Sequence, residues 1–441
     1  MSKKKNKKKN TNPPLPSIRL SQCMIVKNEE KNIERALKWA KNIAFEQIVV
    51  DTGSTDRTVE IARKMGAKVF HFEWIDDFSA AKNYAIEQAS GNWIAFLDAD
   101  EYFSSVDAKK LMIFLKRIQS DFAMRENYLA LGCALVNVDG NGKPFQVIEQ
   151  VRIFRNIPSI RYTSRIHERL DMDLNNMVKV DEIQIIHTGY AIEESKEKGK
   201  AEHNIRIIRK ELAEKPDDLN LKVYLADSLK NTGNEDDKKE AESLFSEVLD
   251  KGIGAPVASI LKRIVYAYFM KKYENDPSKS SELEKICRMG LEEYPGFIDY
   301  EYYLSCALNG RGEFSEAWRL LKSIEAKLSN ESTTTDIGTI AADPTLLHPQ
   351  MVYAAQGLGD IDNVIKYVTL ILKADKKRPE VLLPYISTLQ KNGSSTDGIL
   401  EQLKTIYDFS DKSDLLLIEK AAKETGATEL ATRVMAIETP S

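Results

Sequence analysis

Between Leu20 and Glu101 the chain alternates short apolar runs with segments of helical spacing, and this alternation restricts its fold more than any other feature. Leu20 to Val26, Gln47 to Val50, Lys68 to Phe72 and Trp93 to Leu97 read as strands. Between them, Glu30 to Ala40 places Ile33, Ala36, Leu37 and Ala40 on one helical face. Thr58 to Lys64 and Ser79 to Ala89 continue the pattern, the latter with Ala81, Tyr84, Ala85 and Gln88 at stacking intervals. Strand and helix at this spacing predict an α/β domain with a mostly parallel sheet and right-handed crossovers. Ligands in such sheets bind beyond the carboxyl ends of the strands. Three polar clusters fall there: Lys27-Asn28-Glu29, Asp51-Thr52-Gly53-Ser54 and Asp98-Ala99-Asp100. Neither GxxxxGK[ST] nor GxGxxG is present, so a phosphate-loop protein is excluded and a dinucleotide fold is disfavoured.

From about residue 195 the strand-like runs fade and helical periodicity takes over. Gly359, Gly393 and Gly426 sit at similar turns, 34 and 33 residues apart, which is the tetratricopeptide period. Asn309 to Phe314 followed by Ala317, and Asn231-Thr232-Gly233 followed by Ala241 and Phe245, have the same turn-and-helix shape. Pro216, Pro295 and Pro379 are each expected to end a helix, and Ser329 to Thr335 to break the repeats. The expected organisation is a Lys-rich leader (1–16), an α/β domain (17–200) and an all-α domain of degenerate helical repeats (201–441). A plain helical bundle is the alternative for the last. Stacked helix pairs form grooves that hold peptides, and Tyr300, Tyr302 and Tyr303 are candidates to line one; repeat-core packing accounts for part of that set, and the repeats are equally suited to homodimerisation.

Composition narrows the class. No run approaches the ~18 apolar residues that span a bilayer, and no apolar stretch follows the first lysines as in a secretory signal. The four cysteines form no CxxC pair, which argues against a zinc knuckle or disulfide framework and fits a reducing cytoplasm. Net charge is −4, yet residues 3–9 hold six lysines, leaving −10 over the rest. The basic character is therefore a tail, read as a solubilising leader; contact with an anionic membrane stays open, and a nucleic-acid partner is not expected.

The chemistry is expected in the first half. Asp98 and Asp100 stand at i and i+2 beyond an apolar strand, and in an extended strand they would share a face. Two anionic oxygen donors there suit Mg²⁺ or Mn²⁺ bridging substrate phosphates; two solvated acids in a turn is the plainer alternative. Asp51, at a strand end, is placed to accept hydrogen bonds from a base or ribose, or to serve its own turn. Cys23 lies within an apolar run and reads as a core residue, and His71, His203 and His348 stand outside any motif.

Several segments in order, Met24 to Glu30, Val50 to Asp56, Trp74 to Asn83, Leu97 to Glu101, Arg152-Ile153-Phe154-Arg155, Ile166-His167-Glu168 and His187-Thr188-Gly189-Tyr190, resemble the signatures of family 2 glycosyltransferases with the GT-A fold. With a helical-repeat region behind it, the arrangement is similar to the peptide S-glycosyltransferases that modify sublancin-type glycocins. The resemblance implies a metal-dependent, inverting transfer of a sugar from a nucleotide sugar, a UDP-sugar first, to a peptide or protein. It implies a donor pocket of Val26, Lys27, Asn28, Glu29 and Asp51, with Asp98 facing ribose or sugar. Asp100 becomes the principal metal ligand, joined by Asp98, with His187 as a further ligand or a buried structural histidine. Lys82, where relatives carry arginine, offers a point charge to the diphosphate, as one of Arg152 and Arg155 does. Glu168 and His167 are the candidate bases. A cell-envelope saccharide or lipid-linked acceptor, and a non-catalytic repeat scaffold, are the alternatives.

Overall fold

A computed structural model describes residues 17–189, 194–329 and 338–437. The alternating segments close into one eight-stranded sheet. It is built from β1 (Leu20–Val26), β2 (Glu46–Asp51), β3 (Lys68–His71), β4 (Trp93–Phe96), β5 (Glu101–Phe103), β6 (Ala130–Val138), β7 (Pro144–Arg155) and, after a two-stranded ribbon of β8 (Tyr162–Thr163) and β9 (Arg169–Leu170), β10 (Met177–His187). The order is β3-β2-β1-β4-β7-β6-β10-β5, parallel through the first four strands and again between β6 and β10. The helices between strands are α1 (Ile33–Lys38), α2 (Thr58–Lys64), α3 (Phe78–Glu87), α4 (Ser105–Ser120) and α5 (Phe122–Asn127).

Alternation along β4 explains why the sheet needs helices on both faces. Trp93, Ala95 and Leu97 pack with Trp39, Leu111 and Leu115 on one side, while Ile94 and Phe96 pack with Ala85, Ile86 and Tyr162 on the other. A central strand covered on both faces is a continuous apolar run, as in the sequence. Cys23 belongs to this core, where burial pushes its thiol pKa up. All four cysteines are unpaired and buried.

The regular part of α1 is shorter than its periodicity predicts. Asn28 to Glu30 are drawn into hydrogen bonds with the next strand-to-helix loop, so the helix begins only at Ile33.

The chain divides into two compact units, Met1–Glu242 and Ser243–Ser441. The division lies beyond the change from mixed to helical structure near residue 200, because α6 (Glu194–Glu214) and α7 (Leu219–Leu229) fall in the first unit and α8 (Glu235–Asp250) crosses the boundary. The second unit is helical throughout its described residues: α9 (Ser259–Tyr273), α10 (Ser280–Glu293), α11 (Ile298–Gly310), α12 (Phe314–Ser329), α13 (Thr339–Ala342), α14 (Leu347–Leu358), α15 (Ile361–Ala374), α16 (Pro379–Lys391), α17 (Thr396–Lys404), α18 (Lys412–Glu424) and α19 (Thr428–Met435). Gly312, Gly359, Gly393 and Gly426 each have positive φ between paired helices, which explains why glycine recurs there.

One expectation changes. Pro379 opens α16 instead of ending a helix; at the first helical position its missing N–H costs nothing. Tyr300 and Tyr303 are buried in the helical core, as repeat packing accounts for, and they also border a cavity of about 290 Å³ with Phe297 and Arg263. The break expected at Ser329 to Thr335 lies, beyond Ser329 itself, outside the described residues, as do the leader and Tyr190.

Candidate active site

The parallel register sets the site. Val26 pairs with Asp51 and Cys23 with Phe96, so β1, β2 and β4 deliver their following residues to one edge of the sheet. The loops after β1 and β2 are bound together. Thr52 N donates to Val26 O (2.9 Å), Asn28 N to Ser54 Oγ (2.9 Å), Thr55 N to Asn28 Oδ1 (2.8 Å) and Glu29 N to Thr58 Oγ1 (2.7 Å). Asn28 has φ +58°, a left-handed conformation that asparagine tolerates. Lys27 beside it is exposed. Asp51 is buried and accepts from Ser54 N (3.0 Å) and Gly53 N (3.3 Å), and His71 Nδ1 lies 3.3 Å from its Oδ2. Asp51 thus holds its own turn, and His71, which no motif singled out, is its neighbour.

Asp98 and Asp100 do not share an extended face. β4 ends at Phe96, and Glu101 N donates to Asp98 O (3.0 Å), closing a turn that sends the two carboxylates apart. Asp98, itself part-exposed, joins an ionic cluster whose other members are largely buried. Lys82 Nζ, on α3, lies 3.5 Å from Asp98 Oδ1 and 2.6 Å from Glu168 Oε1. Arg152, on β7, reaches Asp98 Oδ2 (3.1 Å) and grips Glu101 through Nε (2.9 Å) and a terminal nitrogen (2.6 Å). Burial opposes the charge on Asp98, but Lys82 and Arg152 outweigh it and hold its carboxyl below the usual range. Burial likewise opposes the Lys82 ammonium, and Asp98 and Glu168 outweigh it, keeping it charged. Burial and the charge of Asp98 push Glu101 up. Tyr162 packs 5.1 Å beneath Lys82, its hydroxyl buried without a hydrogen-bond partner, and burial raises its pKa to about 12.

Asp100 faces the far side of the turn. His187 Nε2, at the end of β10, lies 3.2 Å from Asp100 Oδ2. His187 Nδ1 lies 2.7 Å from Oδ1 of the buried Asn137, whose amide orientation is set by donation from Nδ2 to Gln146 Oε1 (2.8 Å). That leaves Nε2 to face the carboxylate, with either a proton or a cation between them. The hydrogen bond to Asp100 raises the pKa of His187 against the effect of burial. A Cβ on residue 189 would stand 2.3 Å from Asp100 Oδ2 and 2.6 Å from His187 Nε2, so only glycine leaves this space open. Burial raises the pKa of Glu29 against a hydrogen bond from Asn32, and the nearby Asp100, Asp56 and Asp98 add to the rise. Among the described residues no set of three or more His, Cys, Asp or Glu side chains is arranged to hold a metal by itself. The donors present, one carboxylate and one oriented imidazole in a cradle kept open by Gly189, fit a divalent ion completed by other oxygens.

The two arginines separate as their i, i+3 spacing on a strand requires. Arg155 stacks over Trp93 and donates to Tyr128 O and Arg125 O, outside the cluster. His167, at φ +53°, lays its imidazole on Tyr224 of α7 with centroids 3.8 Å apart. The loop carrying His167 and Glu168 is anchored at Arg165: Phe78 N donates to Arg165 O (2.8 Å), and Arg165 N donates to Glu211 Oε2 (2.8 Å) on α6. Of the residues expected together, Lys82, Asp98, Arg152 and Glu168 are joined, and Asp100 and His187 form a second pair. Sequence reasoning assigned no role to Glu101, Tyr162 or Asn137. A lone asparagine in the apolar run of β6 was a signal for Asn137; Tyr162 carried none.

Residues 21–160 match the family model described as glycosyl transferase family 2. The matched stretch holds most of the mixed sheet, and the helical region follows it. It is 33% identical over 246 residues to a TPR repeat-containing protein of Synechococcus elongatus, covering 54% of this chain and 58% of that protein. It is 24% identical over 306 residues to the SPbeta prophage-derived glycosyltransferase SunS of Bacillus subtilis, covering 65% of each. The chain thus spans about three-fifths of the length of these relatives. Among solved structures, TarS 1–349 of S. aureus aligns with 16% identity and a TM-score of 0.32, over 78% of this chain and 89% of that one. No helix among the described residues is long and apolar enough to cross a membrane.

Proposed function

We propose that the protein is an inverting glycosyltransferase that moves a sugar from a nucleotide sugar, UDP-linked in our reading, to a peptide or protein side chain. The observation that carries this is the convergence of Lys82, Asp98, Arg152 and Glu168, with Asp100 and His187 beside them, at the carboxyl edge of a family 2 domain. The chemistry is displacement at the anomeric carbon. The bond to the diphosphate breaks, an acceptor heteroatom bonds from the opposite face, and its proton passes to a base. Charge grows on the departing diphosphate, where preorganised cations lower the barrier most. Lys82 and Arg152 are such cations, held in place by Asp98 and Glu101. Asp100 and His187 would hold Mg²⁺ or Mn²⁺, which offsets charge on the diphosphate.

Glu168 is the base in this reading. Its carboxylate is held 2.6 Å from Lys82, and a diphosphate competing for that ammonium frees it to accept a proton. A cysteine acceptor, with a thiol pKa of about 8.5, would ask less of the base than a hydroxyl. The peptide acceptor rests on the resemblance to peptide S-glycosyltransferases and on the helical second unit.

The test is release of nucleoside diphosphate from a panel of UDP- and GDP-sugars, with Mg²⁺ or Mn²⁺ and then with chelator. We expect one donor to be turned over slowly, only with metal, and Asp100→Ala to lose this while keeping its circular dichroism. Wild-type turnover by Asp100→Ala would remove the metal assignment. Failure to bind any nucleotide sugar would favour the scaffold alternative.

A further inference from the structure

A cavity of about 960 Å³ lies between α1 and α4. Its walls are apolar: Trp39 and Phe103, which meet edge to face at 4.9 Å, with Met112 and Ile113. Its rim is cationic. Arg35 and Lys38 come from α1, and Lys109 and Lys116 from α4, all four exposed. On α4 the residues Lys109, Met112, Ile113 and Lys116 follow i, i+3, i+4, i+7, so one face presents apolar and cationic groups together. No aspartate or glutamate lines the cavity, and among the described residues no ion pair engages Lys38, Lys109 or Lys116. Ile113 stands 69% exposed at the mouth.

From this we infer a binding site for a single anionic amphiphile: an alkyl or isoprenoid chain in the cavity, with a phosphate or carboxylate head among the four cations. The size is at the upper end for one small ligand. Four like charges around an apolar slot repel one another, and an anionic head neutralises them while its chain removes apolar surface from water. The chain's own leader, with six lysines in residues 3–9, has the wrong sign to occupy it. The cavity is wired to the candidate active site. Arg35 donates to Thr188 Oγ1 (2.7 Å), and Thr188 Oγ1 donates to Asp100 O (3.1 Å). An occupant drawing on Arg35 thus acts on the segment that carries Asp100.

The experiment is calorimetric titration of the full-length protein with dodecyl phosphate below its micelle concentration, alongside inorganic phosphate and dodecyl maltoside. We expect dodecyl phosphate to bind one per chain, and each control at least about tenfold more weakly, as loss of either the chain or the charge should cost. The double variant Lys109→Glu/Lys116→Glu, on exposed positions, should weaken dodecyl phosphate about tenfold or more and leave UDP binding unchanged. Ile113→Glu should do the same. Equal binding by dodecyl maltoside, or undiminished affinity in the double variant, would overturn the site. So would binding confined to phosphatidylglycerol vesicles, which marks a membrane-facing surface, or binding of an acidic amphipathic peptide without any binding of dodecyl phosphate, which marks a protein-docking groove. UDP titration of the same samples keeps this outcome separate from the transferase reading.

Discussion

Lys82 is the residue on which the candidate site turns. It is almost wholly buried, yet Asp98 and Glu168 keep it charged, so its neighbours answer for its desolvation. Removing either carboxylate leaves part of that charge uncompensated. We expect Glu168→Gln to lower kcat by about 10²-fold or more with the donor KM within a few-fold, as for loss of a general base. A large rise in donor KM at unchanged kcat would move Glu168 out of that role. A different residue governs acid stability. Glu46 is buried at the start of β2, where burial raises its pKa, but Lys68 (2.7 Å), Ser90 N (2.6 Å) and the hydroxyls of Ser21 and Ser90 outweigh this and bring it to about 2. A depressed carboxylate stabilises the fold above its unfolded pKa of about 4.5, and that contribution fades as pH falls toward about 2. Urea unfolding from pH 7 to 3 should therefore show a loss of stability below about 4.5 that Glu46→Gln flattens. At neutral pH, Glu46→Ala should cost about 2 kcal/mol by orphaning the serine donors.

At the scale of elements, the loops after β1 and β2 and the helix pairs of the second unit show two ways of fixing a turn. The first uses side chains: Asn28, Ser54 and Thr58 stitch one loop to the other, so the candidate donor edge is set before any ligand arrives. The second uses backbone freedom. Gly393, at φ +79°, joins α16 to α17 with open space around it, so a methyl group there meets no neighbour and acts only through the backbone. Gly393→Ala should therefore destabilise the protein by about 1 kcal/mol, read from denaturant midpoints at unchanged slope. Gly290 is different: a Cβ there would meet the Tyr300 ring at 2.7 Å. Gly290→Ala should cost about 2–3 kcal/mol, toward the upper end for overpacking, between α10 and α11. Equal losses at the two positions would contradict this distinction.

At the scale of the molecule, ligand binding should appear as stability. If UDP and Mn²⁺ bind only the folded chain and as one complex, at about 100 times its Kd, unfolding should cost about 2.7 kcal/mol more. The gain should vanish with chelator and in Asp100→Ala. A gain that survives chelation would mean that the nucleotide binds through Lys82 and Arg152 without the metal.

Much of the architecture was legible because it rests on local rules. Apolar runs of four to seven residues separated by helical spacing specify β1 to β4 and their crossovers, and the glycines repeating at 34 and 33 residues mark turns that need positive φ. Asp51, Asp98 and Asp100 follow strand ends, and a parallel sheet collects such positions on one edge without further instruction. What the carboxylates touch was decided elsewhere. Arg152 and Arg155 look alike in sequence, yet β7 runs antiparallel beside β4, so one meets Asp98 and Glu101 while the other caps the carbonyls of Arg125 and Tyr128. Asp98 and Asp100 look like a pair, yet the turn closed by Glu101 N divides them between Lys82 and His187. Periodicity is a property of neighbours along the chain. A buried charge must find its counter-ion across the fold, and only packing brings those partners within reach.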